Sequence, residues 1–180
     1  MISVWYFAYG SNLCQDRLGR RITPVSYNRI ARLPGHDFRF HKHGQDDSGK
    51  ADAFATGSPD DAVWGVLVEV DAPRLATLDR YEPGYDRVLL EVEIPEDGSR
   101  CFAQTYVAQP TVIDRAMLPF AWYRRLIIAG GAARGLARLV SGRDRQDAWP
   151  LGLETWACPR RVLIRFAAVS NYFPVGAVPT

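Results

Sequence analysis

Two short stretches of this chain carry residue types that do chemistry. The first is Tyr6-Phe7-Ala8-Tyr9-Gly10-Ser11-Asn12-Leu13, where an aromatic run ends at a glycine and small polar residues follow. A glycine at a strand end lets the backbone approach a ligand closely, and successive N–H groups at a helix start bind an anion such as a carboxylate. The same residues also make an ordinary strand-to-helix turn capped by Asn12. The second stretch holds Glu82, one of only six glutamates, placed before Pro83-Gly84-Tyr85 and between Tyr81 and Tyr85. Apolar surroundings raise a carboxylate's pKa, which suits a general base acting on an amine near neutral pH. Its plainer alternative is a solvated loop glutamate paired with Arg80 or Arg87.

These residues need elements to hold them. Ser3 to Tyr9 is rich in β-branched and aromatic residues and predicts a strand, with helical spacing from Leu13 to Leu18 after the Gly10-Ser11-Asn12 turn. Asn12 with Gln15 three positions later predicts a capping box. Asn28 to Phe40 reads as extended and broken at Pro34-Gly35, His41 to Lys50 as a polar loop, and Ala51 to Thr56 and Ala62 to Val70 as strands. Asp71 and Pro73 start a helix with Leu75, Leu78 and Tyr81 on one side, ending at Glu82-Pro83-Gly84. Asp86 to Ile94 alternates as a half-buried strand, with Arg100 to Ala108 as its hairpin partner. Pro119 to Ala133 predicts the longest helix, and Val162 to Val169 a last strand. The expected fold is α+β: six or seven short, mainly antiparallel strands closing into a small barrel, with about three flanking helices. No repeat or long linker divides the chain.

Other features compete poorly. His41-Lys42-His43 with His36, Asp46 and Asp47 resembles a metal cluster, yet its spacing fixes no third ligand, so no metal is expected. Cys14 lies at a helix start, where a thiol's pKa can fall, but no histidine motif accompanies it. Gly130-Gly131 and Gly135 fall at a helix end instead of after a strand, which is the wrong context for phosphate binding. Trp122, Leu126 and Ala129 form a helical stripe expected in the core.

Composition narrows the class. The chain has 180 residues, 47% hydrophobic and 23% charged, and 22 Lys+Arg against 20 Asp+Glu leave +2, so neither disorder nor a nucleic-acid or membrane partner is expected. Lys42 and Lys50 are the only lysines. Three widely spaced cysteines, Cys14, Cys101 and Cys158, point to reduced thiols, and the N-terminus has no basic n-region; a soluble cytoplasmic protein is expected.

Taken in order, YFAYGSNL at Tyr6 to Leu13, Val63-Trp64-Gly65-Val66 after Ser58-Pro59, Leu78-Asp79 followed by Glu82, Gly84 and Tyr85, and Trp122 to Ile127 resemble the γ-glutamylcyclotransferase family, which includes AIG2-like proteins. The match spans roughly residues 3 to 137. The resemblance implies a γ-glutamylcyclotransferase-like domain over residues 1–140, with 141–180 an extension packing on it. It implies that Tyr6, Phe7, Ala8, Tyr9, Gly10, Ser11 and Asn12 cradle a γ-glutamyl group, that Tyr123 contacts substrate, and that Glu82 is the acid/base. The reaction implied releases 5-oxoproline and an amine from a small-molecule γ-glutamyl amide with no cofactor. Asn12 points to γ-glutamyl amino acids or γ-glutamylamines over glutathione. A rival reading is a non-catalytic module that keeps the cradle for a carboxylate-bearing ligand, and a more distant one is a thiol transferase using Cys14.

Overall fold

The computed structural model describes residues 2–136, and the expected extension over residues 141–180, including its Val162 to Val169 strand, lies outside them. Within that span the chain forms β1 (Ser3–Ala8), a 3₁₀ turn (Ser11–Leu13), α1 (Gln15–Arg21), β2 (Ser26–Pro34), β3 (His36–His43), β4 (Gly49–Ala55), β5 (Ala62–Asp71), α2 (Ala72–Asp79), β6 (Tyr85–Ile94), β7 (Ser99–Ala108), a second 3₁₀ turn (Pro110–Val112) and α3 (Ala121–Ala133).

Five strands close a barrel in the order β1-β5-β2-β6-β7, antiparallel throughout except where β7 meets β1 in parallel at Tyr6 opposite Gln104. The remaining two, β3 and β4, form a separate antiparallel ribbon. The barrel strands bury side chains on both faces: Phe7 and its cross-strand partner Leu67 lie on one face of β1 and β5 and Val68 on the other, and all three, with Val92 and Ala103, are all but inaccessible to solvent. Gly65 on β5 faces the Phe7 ring, and a side chain there would collide with that ring and with the Ala8 carbonyl, so close packing at the end of β1 depends on this glycine.

The ribbon is pinned to the barrel by polar side chains. Asp52 on β4 accepts from Ala108 N at 2.7 Å through Oδ1 and meets His41 Nε2 at 2.7 Å through Oδ2, and both residues are buried. His41 to His43 thus continue β3 instead of opening a solvated loop, and the turn itself is shorter than the spacing predicts. Among the described residues no group of His, Cys, Asp or Glu is arranged to hold a metal ion.

Three further local expectations are corrected. Asn12 makes no helix cap: α1 is preceded by Cys14 at its N-cap without a side-chain cap bond, and Gln15 instead accepts from Arg134 Nη2 at 2.6 Å. The Asn12 amide is drawn into tertiary hydrogen bonds that outcompete the local one. On α3 the buried stripe is Tyr123, Ile127, Gly130 and Gly131, one position later than Trp122, Leu126 and Ala129, and Trp122 is exposed. Tyr81 is exposed as well, since the turn after α2 rotates it away from Leu75 and Leu78.

Gly130 explains the phase of α3. A Cβ built there would lie 2.5 Å from Leu13 C and 2.7 Å from Cys14 N, so the helix rests backbone to backbone on the 3₁₀ turn. Gly130→Ala must push that turn aside. Overpacking of this kind costs about 1–3 kcal/mol and outweighs the roughly 1 kcal/mol helix-propensity gain, so the melting temperature is expected to fall by several degrees. Gly19→Ala on α1, where a Cβ meets nothing within 4 Å, is the matched control and is expected to raise it. Thermal unfolding of the two variants checks both signs.

Candidate active site

The turn after β1 and the end of α1 converge on Glu82, which precedes β6. Its carboxylate is fixed from one side: Oε1 accepts from Arg21 Nη1 at 2.6 Å and from Asn12 Nδ2 at 3.0 Å. Asn12 Nδ2 also donates to Tyr6 Oη at 2.8 Å, Asn12 Oδ1 accepts from Arg21 Nη1 at 3.0 Å, and Tyr27 Oη donates to the Asn12 carbonyl at 2.8 Å. Every polar atom of the Asn12 side chain is therefore engaged. Among the described residues no hydrogen bond reaches Glu82 Oε2.

Glu82 is not the solvated loop residue of the plainer alternative, because its side chain is only 14% exposed. Nor does it pair with Arg80 or Arg87; Arg87 lies 3.1 Å from Asp79. Burial raises its pKa above the ordinary carboxylate range, and the Arg21 charge, the Asn12 hydrogen bond and the Arg17 charge pull it back part of the way. Arg17 and Arg21 stand four apart on α1 and so share a face. Arg17 Nε is buried without a hydrogen-bond partner.

Around the carboxylate stand tyrosines. Tyr6 is buried with its pKa raised by burial and by the Glu82 charge, so it stays protonated at neutral pH. Tyr123, reaching in from α3, accepts from Ala51 N at 3.1 Å, and burial raises its pKa against hydrogen bonds from Ala51 and Ser11. Tyr85 Oη donates to the Ala51 carbonyl at 2.7 Å. The 3₁₀ turn closes through Leu13 N to Gly10 O at 3.0 Å and Cys14 N to Ser11 O at 3.2 Å, so the amides ahead of those bonds are the ones a helix start leaves for a ligand. A Cβ at Gly10 would sit 3.3 Å from Ala51 Cβ and 3.8 Å from Tyr123 Oη, which places this turn against the tyrosine.

Of the residues singled out in the sequence, Tyr6, Gly10, Ser11, Asn12, Tyr123 and Glu82 are brought together. Phe7 and Ala8 are core, and Tyr9 spends its hydroxyl on the Tyr106 carbonyl at 2.6 Å and on Ala53 N at 3.2 Å. Arg21, Tyr27 and Lys42 also belong to the region and escaped the sequence reading. The i, i+4 pair of arginines one turn past the glycine was the available signal for Arg21. Lys42 had none beyond the scarcity of lysines, since its position reads as loop. It is 5% exposed, with Nζ 5.1 Å from the centre of the Tyr85 ring.

A small closed barrel thus holds one buried, hydrogen-bonded carboxylate beside a strand-to-helix turn. The family model described as "Gamma-glutamyl cyclotransferase, AIG2-like" matches residues 6–125. The chain belongs to that family, and its function is of the γ-glutamylcyclotransferase type. It is 29% identical over 140 residues to the gamma-glutamylcyclotransferases of Bos taurus and of Homo sapiens, covering 74% of this chain and 73% of each relative. A solved structure named gamma-glutamyl cyclotransferase superposes with a TM-score of 0.67 at 28% identity, over 75% of this chain and 82% of that one. Among the described residues no helix is long and apolar enough to cross a membrane.

Proposed function

We propose that this protein cleaves a γ-glutamyl amide by cyclisation, releasing 5-oxoproline and the free amine, with Glu82 moving the proton. The observation that carries this reading is the state of Glu82: buried, raised in pKa, held through Oε1, with no hydrogen bond to Oε2 among the described residues. The substrate's unprotonated α-amine attacks its own γ-carbonyl carbon, forming the ring C–N bond and an oxyanion. The surplus proton on the ring nitrogen passes to Glu82 Oε2 and then to the departing nitrogen, whose C–N bond breaks. Glu82 is a carboxylate again at the end, the proton leaves on the departing amine, and the step needs no electron transfer and no external reactant. Because the attack is intramolecular, holding a folded conformer supplies much of the acceleration. The amides of the Gly10-Ser11-Asn12 turn suit the glutamyl α-carboxylate, and the protonated hydroxyls of Tyr6 and Tyr123 suit polar atoms of the substrate.

The test is 5-oxoproline release from a panel of γ-glutamyl amino acids, γ-glutamylamines and glutathione. Release by the wild-type protein is expected. A γ-glutamyl compound that raises the melting temperature while no member of the panel yields 5-oxoproline would overturn catalysis in favour of binding alone. Cys14, half-buried and free, has no part in this chemistry. Cys14→Ala is therefore expected to keep the wild-type rate in the same assay, and a loss of activity beyond what its melting temperature explains would count against the carboxylate mechanism.

A further inference from the structure

Lys42 is a buried cation with nothing to neutralise it directly. It is 5% exposed, and among the described residues its ammonium makes no hydrogen bond or ion pair, only the contact with the Tyr85 ring at 5.1 Å. Its cross-strand partner Lys50 is already engaged, by Asp46 Oδ2 at 2.7 Å and Ser48 Oγ at 2.8 Å. Burial lowers the Lys42 pKa and Lys50 lowers it further, while the Glu82 and Asp46 charges oppose them. The backbone makes room for it: Gly84, at φ +78°, would with a Cβ stand 3.1 Å from Lys42 Cε and 3.4 Å from Nζ. A buried ammonium left in this condition is costly unless an anion arrives to compensate it.

We infer that Lys42 is a specificity residue that receives a carboxylate on the leaving amine, so that γ-glutamyl amino acids are preferred to γ-glutamylamines. The inference rests on the cyclisation reading above. Ala51 touches both parts of the site: its N–H donates to Tyr123, whose hydroxyl lies beside the Gly10 turn, and its carbonyl accepts from Tyr85, whose ring lies against Lys42. Glu82 accepts from Asn12 of that turn and stands two residues before Gly84, the residue packed against Lys42. A substrate with its glutamyl carboxylate at the Gly10 turn and its reacting atoms at Glu82 carries its leaving group toward Lys42. An amino-acid leaving group has its carboxylate one carbon from the scissile nitrogen, within reach of an ammonium there.

Gamma-glutamylalanine and γ-glutamylethylamine differ only by that carboxylate and make the matched pair. The wild-type protein is expected to favour the alanine compound in kcat/KM by about tenfold or more, as a charge-assisted contact would give. Lys42→Met is expected to lower kcat/KM for the alanine compound about tenfold more than for the ethylamine compound, mainly through KM, and Lys42→Arg to keep most of the preference. Lys50→Met is expected to leave the ratio as it is. Equal losses on both substrates in Lys42→Met, or a ratio that Lys50→Met shifts as much, would overturn the inference while leaving cyclisation intact. Wild-type protein that turns over neither compound nor any of the wider panel would overturn the cyclisation reading and this inference with it.

Discussion

Glu82→Gln is expected to lower 5-oxoproline release by about 10²–10⁴-fold, the range that a positioned general acid/base contributes. The amide keeps the shape of the carboxylate, and its oxygen still accepts from Arg21 and Asn12, the partners that Oε1 has now at 2.6 and 3.0 Å. What it lacks is an atom able to take a proton from the ring nitrogen. Stability should change little, because burial already holds the Glu82 pKa above its ordinary value. A carboxylate raised in this way lowers stability above its folded pKa, so a neutral replacement removes that penalty at neutral pH and loses the Arg21 charge pairing in exchange. Turnover, ligand-induced stabilisation and the melting temperature should be measured together. A variant with wild-type turnover would remove Glu82 from the mechanism, and one that fails to fold would show a structural role larger than its hydrogen bonds indicate.

The second large effect is expected at Arg21, a positioning residue that acts through Glu82. Its guanidinium binds Glu82 Oε1 and Asn12 Oδ1 from a single nitrogen, so one group orients both the carboxylate and the turn. Arg21 is also the largest influence holding the Glu82 pKa down against burial. Arg21→Met should therefore push that pKa higher and move the acid limb of the kcat/KM profile to higher pH. At pH 7 the rate should fall by about 10–100-fold, the combined result of a less ionised base and a less fixed one. Arg21→Lys should recover part of the pH position through its charge but less of the rate, since an ammonium cannot reproduce the planar fork. The stability sign follows from the same shift. The Glu82 carboxylate, left without its partner, destabilises the variant above its folded pKa, and the deficit should shrink as the solution is acidified and the group protonates. A pH profile that superposes on that of the wild type would reduce Arg21 to packing.

Local pattern made most of the elements legible. The aromatic run before Gly10, the alternation from Val88 to Ile94 and the paired apolar residues Leu75 and Leu78 each declare a strand or a helix through neighbours in sequence. The structure bears them out as β1, β6 and α2. The expectations that failed did so where a distant group won a local competition. Asn12 would cap α1 if nothing else were near, but Tyr6, Arg21 and Glu82 together satisfy its amide better than the helix N–H groups do. The stripe of α3 is displaced by one residue because Gly130, with no side chain, is the position that fits against Leu13.

The α+β class and the family were legible in the chain alone, as were the two stretches, Tyr6 to Leu13 and Glu82, on which the proposed site rests. Those depend on residue type and on short-range spacing, which a linear chain displays. Only the tertiary structure decided which cations serve the carboxylate. Arg21 is 61 residues from Glu82, and the two meet because closure of the barrel brings the end of α1 to the start of β6. Lys42 likewise becomes a buried, uncompensated charge only once β3 folds over Tyr85. Burial and partnership are properties of packing, and packing turns an ordinary arginine into the partner of a buried carboxylate and an ordinary lysine into a buried ammonium without an ion pair among the described residues.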